Sequence, residues 1–118
     1  MFDGPEPIYL QIADHLRGQI LDGSLTEGDQ VMSTTQFATN YRINPATAAK
    51  GLGLLVDEGL VEKRRGLGMY VTTGARDALL DQRRSGYLND VLAPALHQAK
   101  LLGIPAAAIV DRVRKELS

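Results

Sequence analysis

Apolar residues recur at helical spacing from the start of this chain. Ile8, Ile12, Leu16 and Ile20 fall on one face, and Tyr9 and Ala13 widen the stripe. A helix is expected from Pro7, which suits a first turn, to about Leu21. Asp22-Gly23 ends it, because glycine takes the left-handed conformation after a helix at little cost. Residues 24–30 read as a connector with a Glu27-Gly28-Asp29 turn.

Ser33-Thr34-Thr35-Gln36 matches a capping box: the serine hydroxyl accepts from the Gln36 amide, and the Gln36 side chain reaches back. The helix it opens is short and ends near Asn40. Asn44-Pro45 opens another. Asparagine caps it, and proline at the first helical position loses no intrahelical hydrogen bond. Ala48, Gly51, Leu52 and Leu55 fall at i, i+3, i+4 and i+7, which predicts a buried face. Pro45, Ala46, Ala49, Lys50 and Gly53 then point outward. Gly59 stops this helix. Leu60 to Arg64 and Met69 to Thr73 read as short strands joined by the Arg65-Gly66-Leu67-Gly68 loop.

From Ala75 the pattern is helical again. Leu88, Val91, Leu92, Ala95, Ala99 and Leu102 make one apolar stripe. Pro94 lies inside it and is expected to kink or restart the helix. Gly103 terminates the segment. Pro105 begins a last helix with Ala106, Ile109, Val110, Val113 and Leu117 on one face. The stripe is too long for one small domain to cover. A two-fold dimer interface built on Leu88, Val91, Leu92, Ala95, Ala99, Leu102, Ile109 and Val113 is therefore expected.

The fold class that follows is mostly α with a small β-hairpin. A winged helix-turn-helix domain spans residues 5–73, and a short C-terminal helical dimerisation unit spans residues 75–118. A second helix that enters the major groove, with a basic hairpin beside it, fits duplex DNA. The net charge of -1 argues against this only until its distribution is read. Residues 1–41 carry Arg17 against Asp3, Glu6, Asp14, Asp22, Glu27 and Asp29. Residues 42–76 carry Arg42, Lys50, Lys63, Arg64, Arg65 and Arg76 against Asp57, Glu58 and Glu62. Local field, more than overall charge, decides phosphate binding.

The candidate DNA-binding residues follow from that placement. They are Ser33, Thr34 and Thr35 at the first helix of the motif, and Asn44, Ala46, Thr47, Ala49 and Lys50 on the second. Lys63, Arg64, Arg65, Gly66, Leu67 and Gly68 complete the set at the wing. Lys50 suits a phosphate or a guanine. Ala46 and Ala49 suit thymine methyl groups, and Thr47 a base or a phosphate. The wing glycines let backbone N–H groups approach a phosphate, and arginine suits a narrow minor groove.

Other chemistries find little support. The 118 residues include no cysteine, which excludes disulfides and thiolate metal sites and makes a reducing cytoplasm the default. No apolar run approaches the roughly 18 residues of a membrane span. MFDGPEPIY lacks the basic and apolar regions of a secretory signal. His15 and His97 lie far apart, no carboxylate cluster accompanies them, and no nucleophile–base arrangement is visible. No cofactor, metal or catalytic residue is expected. The Gly66-Leu67-Gly68 turn lacks the third glycine and the helix of a dinucleotide site.

The ordered set Pro7-Ile8-Tyr9, Gln11-Ile12, Ile20-Leu21-Asp22-Gly23, Gly28-Asp29, Asn44-Pro45-x-Thr47, Glu58-Gly59-Leu60-Val61 and Arg65-Gly66-x-Gly68-x-Tyr70-Val71 resembles the GntR family of bacterial transcription regulators. The resemblance covers about residues 5–73. The short remainder is similar to the YtrA-type subfamily, whose C-terminal part is a small helical dimerisation unit. It implies a homodimer acting as a repressor on a double-stranded DNA operator with inverted repeats. A small-molecule effector between the C-terminal helices is compatible with it, and no residue pattern identifies one. Two positions depart from the family pattern. Thr35 stands where an arginine commonly contacts DNA, and Pro45, Ala46 and Ala49 stand where the recognition helix often carries a basic residue. The alternative is a winged-helix module that binds protein. Salt dependence separates the two, because phosphate contacts release counterions.

Overall fold

A computed structural model describes residues 2–118. The first helix, α1 (Ile8–Asp22), buries Ile12, Ala13, Leu16 and Ile20, while Ile8 stays exposed. It ends at Gly23 in the left-handed region, φ 86°. The Ser24 hydroxyl and then the Ser24 N–H donate to the Asp22 carboxylate, which holds that carboxyl below its ordinary range.

Three strands form a small antiparallel sheet in the order β1-β3-β2. They are β1 (Gln30–Val31), β2 (Val61–Arg64) and β3 (Gly68–Val71). Val61 faces Val71, Lys63 faces Met69 and Arg64 faces Gly68 across the hairpin. The expected hairpin is present, and β1 adds a third strand through Gln30 opposite Tyr70 and Val31 opposite Met69. Two residues are too few to show a period-2 pattern, so the sequence carries no signal for β1.

The helix-turn-helix comprises α2 (Thr34–Tyr41) and α3 (Pro45–Asp57). The capping box before α2 is formed as expected, with Ser33 Oγ accepting from Gln36 N–H at 3.1 Å and Gln36 Oε1 accepting from Ser33 N–H at 3.0 Å. Asn44 Oδ1 caps α3 by accepting from Ala46 N–H at 2.8 Å. The buried face of α3 is Ala48, Gly51, Leu52 and Leu55, as the spacing predicts. It packs on α1 and α2, and the core closes with Val31, Phe37, Leu60, Val61, Met69 and Val71.

An ion-pair cluster ties the end of α3 to α1. The Arg17 guanidinium meets Glu58 through two nitrogens at 2.8–3.2 Å and Asp14 at 2.6 Å. Burial disfavours the Arg17 charge, but the hydrogen bond and field of Glu58, with Asp14 behind them, raise its pKa overall. Both side chains of the inter-helix pair are largely covered. Glu58→Gln keeps the shape and removes the charge. It is expected to cost about 1 kcal/mol, a charge-assisted bond discounted for its remaining solvent exposure. Urea denaturation checks this. An unchanged midpoint would show that the cluster contributes nothing.

Chain contacts divide the molecule into a unit ending at Asp81 and a second unit, Gln82–Ser118. This division falls later than the break expected between residues 73 and 75. The reason is α4 (Ala75–Tyr87), whose Ala75 and Leu79 are buried in the core of the first unit. Its start is fixed by Gly74 N–H donating to Glu27 Oε1 at 2.6 Å and by Arg76 Nε donating to the Leu21 carbonyl at 3.1 Å.

In the second unit a π-helical turn (Leu88–Leu92) leads into α5 (Ala93–Leu101), and α6 (Ala106–Leu117) follows. Pro94 stands in the first turn of α5, where regular α-helix resumes after the π-helical turn, in line with the expected restart. Dihedrals stay helical from Tyr87 through Leu92 and Ala93. The turn widens just before the proline, with Ala93 N–H bonded to the Leu88 carbonyl. A wider turn accommodates a ring and a missing donor without ending the helix. Gly103, φ 70°, makes the turn before Pro105 and α6.

Candidate nucleic-acid interface

The outward face of α3 is built by elimination. With Ala48, Gly51, Leu52 and Leu55 committed to the core, Pro45, Ala46, Ala49 and Lys50 are exposed, while Thr47 and Gly53 are half-buried. Asn44 sits at the helix start with its side-chain oxygen occupied by the cap. Lys50 is the only cation on this face. Its Nζ lies 3.9 Å from the centroid of the Tyr9 ring on α1.

Residues Ser33, Thr34 and Thr35 lie together at the start of α2. The Ser33 hydroxyl accepts the capping bond and Thr34 is half-buried, which leaves Thr35 the most exposed of the three. Arg42 lies in the turn between α2 and α3 and was not among the expected contacts. It is exposed and left-handed, φ 53°, and its N–H donates to the Ala38 carbonyl. The signal available in the sequence was its charge, two residues before the Asn44 cap.

The wing follows α3 directly, because Glu58 and Gly59 end the helix and β2 packs back against it. Gly66 (φ 76°) and Gly68 (φ 119°) turn its tip. Gln30 on β1 braces the tip, its Nε2 donating to the Leu67 carbonyl at 3.2 Å. The Tyr70 hydroxyl donates to the same carbonyl at 3.1 Å. A Cβ on Gly68 would lie 2.8 Å from Gln30 Nε2, so the brace needs a glycine there. Arg64 pairs with Glu62 at 3.0 Å and its guanidinium lies 4.3 Å from the Tyr70 ring centroid. Lys63 and Arg65 are exposed and have no acidic partner among the described residues. Leu67 is exposed at the tip. The first unit thus holds a short exposed helix face and, beside it, a braced hairpin with free cations.

The eight residues expected at a dimer interface all lie in the second unit. Leu88, Val91 and Leu102 are 54%, 52% and 72% exposed, Val113 and Ala95 are exposed, and Leu92 and Ile109 are half-buried. Ala99 differs, being covered within its own chain. It lines a groove together with Ile104 and Ile109. No group of three or more His, Asp or Glu side chains among the described residues is arranged to hold a metal. No described helix is long and apolar enough to cross a membrane.

Comparison with known proteins agrees with this geometry. The family described as bacterial regulatory proteins, gntR family, matches residues 8–71. The HTH-type transcriptional repressor YtrA of Bacillus subtilis (strain 168) is 35% identical over 112 residues, 95% of this chain and 85% of the relative. A GntR family transcriptional regulator from Listeria monocytogenes superposes with a TM-score of 0.67 at 26% identity, covering 97% of this chain and 98% of that one. A transcriptional regulator from Oenococcus oeni shares the fold over 100% of this chain and 97% of its own, with a TM-score of 0.84 at 24% identity. The chain belongs to the GntR family of bacterial regulatory proteins, and it is a DNA-binding transcription regulator of winged helix-turn-helix fold.

Proposed function

We propose that this regulator is a cytoplasmic, dimeric repressor that binds an inverted-repeat operator through α3 and the wing. The observation that carries the DNA contact is that the unpaired wing cations Lys63 and Arg65 and the exposed face of α3 belong to one unit, joined where β2 packs on α3. Ala46 and Ala49 face the bases, where methyl groups read thymine. Thr47 and the N–H₂ group of Asn44 supply the polar contacts to the bases, and Lys50 adds a cation to the same helix. Thr35 and the wing hold the sugar–phosphate backbone. With so few polar side chains on α3, each half-site has only a few hydrogen-bonded positions, and groove shape contributes the rest.

Repression is supported by the likeness to a repressor and needs only occupancy of a promoter. Dimerisation is supported by the exposed apolar row Leu88, Val91 and Leu102. Two-fold symmetry then dictates half-site centres about 34–36 Å apart, or a multiple. Selection of bound duplexes from a random library tests this reading. The expected consensus is an inverted repeat. A direct repeat overturns the symmetric dimer, and failure to enrich any duplex, with binding insensitive to salt, leaves the protein-binding module as the better account.

The wing gives a separate expectation. Arg65→Ala should weaken binding to all duplexes and flatten the plot of log affinity against log salt by about one. Arg64→Ala should additionally loosen the Tyr70 side of the wing, since its guanidinium stacks there. Titrations at several salt concentrations check both. An unchanged slope in Arg65→Ala places the tip away from DNA.

A further inference from the structure

We propose that Tyr9 is a positioning residue of the DNA interface, holding the Lys50 ammonium toward α1 so that this cation grips a backbone phosphate and reads no base. The inference rests on α3 being the recognition helix. It begins with the packing of α1 on α3. A Cβ on Gly51 would lie 2.9 Å from the Tyr9 carbonyl oxygen, so the α1 backbone at Tyr9 touches α3 directly beside Lys50. This contact brings the half-buried Tyr9 ring under the Lys50 side chain, with Nζ 3.9 Å from the ring centroid.

The direction of that reach decides what Lys50 can do. On a helical projection Lys50 stands opposite the core, with Ala46 one turn before it. From there a lysine can extend over the Ala46–Ala49 side or over the α1 side. The Tyr9 ring draws it to the α1 side. The negative face of the ring attracts the ammonium, and the aromatic plane removes much of its rotational freedom. The groove-facing surface is then left to Ala46 and Ala49, whose methyl groups lack hydrogen-bonding atoms. An ammonium parked at the edge of the helix face meets the sugar–phosphate chain bordering the major groove. Tyr9 thereby converts a residue able to read guanine into a sequence-neutral clamp.

The test uses the full chain and a duplex selected by the wild-type protein, together with all single-base variants of that duplex. Lys50→Met, at an exposed position, should lower affinity by a similar factor for every duplex and reduce the salt slope by about one. Tyr9→Phe keeps the ring and should bind as wild type. Tyr9→Leu keeps apolar volume and frees the ammonium. It should weaken binding about two- to fivefold, the scale of an exposed cation–π contact. In the Lys50→Met background the same change should have no further effect on binding. A Lys50→Met protein that loses discrimination at one base pair overturns the proposal, because Lys50 then reads that base. Independent, additive effects of Tyr9→Leu and Lys50→Met overturn it too, because the ring then acts without the ammonium. Thermal melting of each variant separates binding loss from unfolding. A wild-type chain that selects no duplex defeats the DNA-contact reading itself, a different result from either of these.

Discussion

Gly51→Val is expected to destabilise the winged domain by about 3 kcal/mol or more, while Gly53→Ala, two residues along the same helix, stabilises it. At Gly51 a Cβ would lie 2.9 Å from both the Tyr9 carbonyl oxygen and Ile12 Cγ2, and 3.0 Å from Ile12 Cβ. One of those neighbours is backbone and another is the centre of a fully buried side chain, so neither yields without moving α1. Overpacking of a close-packed core costs about 1–3 kcal/mol and sometimes more, and valine adds two methyl groups beyond that first clash. At Gly53 a Cβ meets nothing within 4 Å, and alanine recovers the roughly 1 kcal/mol that glycine forfeits inside a helix. For a domain of this size each kcal/mol moves the melting temperature by about 4–8 °C. Calorimetry of the two variants should therefore show shifts of opposite sign, with the valine chain lower by more than about 10 °C. Shifts of the same sign would mean that α1 and α3 do not meet at Gly51.

That contrast also shows what the sequence could convey. The i, i+3, i+4, i+7 spacing placed Gly51 on the buried face with Ala48, Leu52 and Leu55, and the structure agrees. Both caps, Ser33 with Gln36 and Asn44 before Pro45, were equally legible, because capping depends on atoms within three residues of one another. Long-range contacts were not. Periodicity could not show that Tyr9 lies under Lys50, since 41 positions separate them and only the α1–α3 contact joins them. The pairing of Gln30 and Val31 with β3 depends in the same way on a partner strand some 40 residues away. Nor does the sequence show that Glu62 on the same face and the Tyr70 ring across the hairpin engage the wing cation Arg64. A change of pattern at Ala75 marks where a helix starts. It does not reveal that the first turns of that helix plug the preceding core through Ala75 and Leu79. Truncation after Thr73 would therefore open that core, and a cut meant to isolate the winged domain belongs after Asp81.

Since shortening the chain risks the fold, the dimer is better tested by charge in the intact protein, and here the loss should be the largest of all. The double variant Val91→Asp, Leu102→Asp is expected to become monomeric and to lose about 100- to 10,000-fold in affinity for a two-half-site operator. Both positions are more than half exposed in the single chain, 52% and 72%, so aspartate there leaves the fold of one protomer nearly undisturbed. Two-fold symmetry repeats each substitution on the partner and brings like charges into one apolar surface. Burying an unpaired carboxylate costs several kcal/mol, which an interface of modest size cannot absorb. Once the protomers separate, the second half-site no longer benefits from the high effective concentration that linkage provides, and the advantage of bivalent binding is lost. Affinity for a single half-site should stay unchanged, because α3 and the wing belong to the other unit. Sedimentation at micromolar concentration reads the assembly, and titration against one and two half-sites reads the coupling. A variant that stays dimeric would show that Val91 and Leu102 lie outside the interface. One that turns monomeric yet keeps full operator affinity would show that the protein binds each half-site independently, and the inverted-repeat reading would then fail.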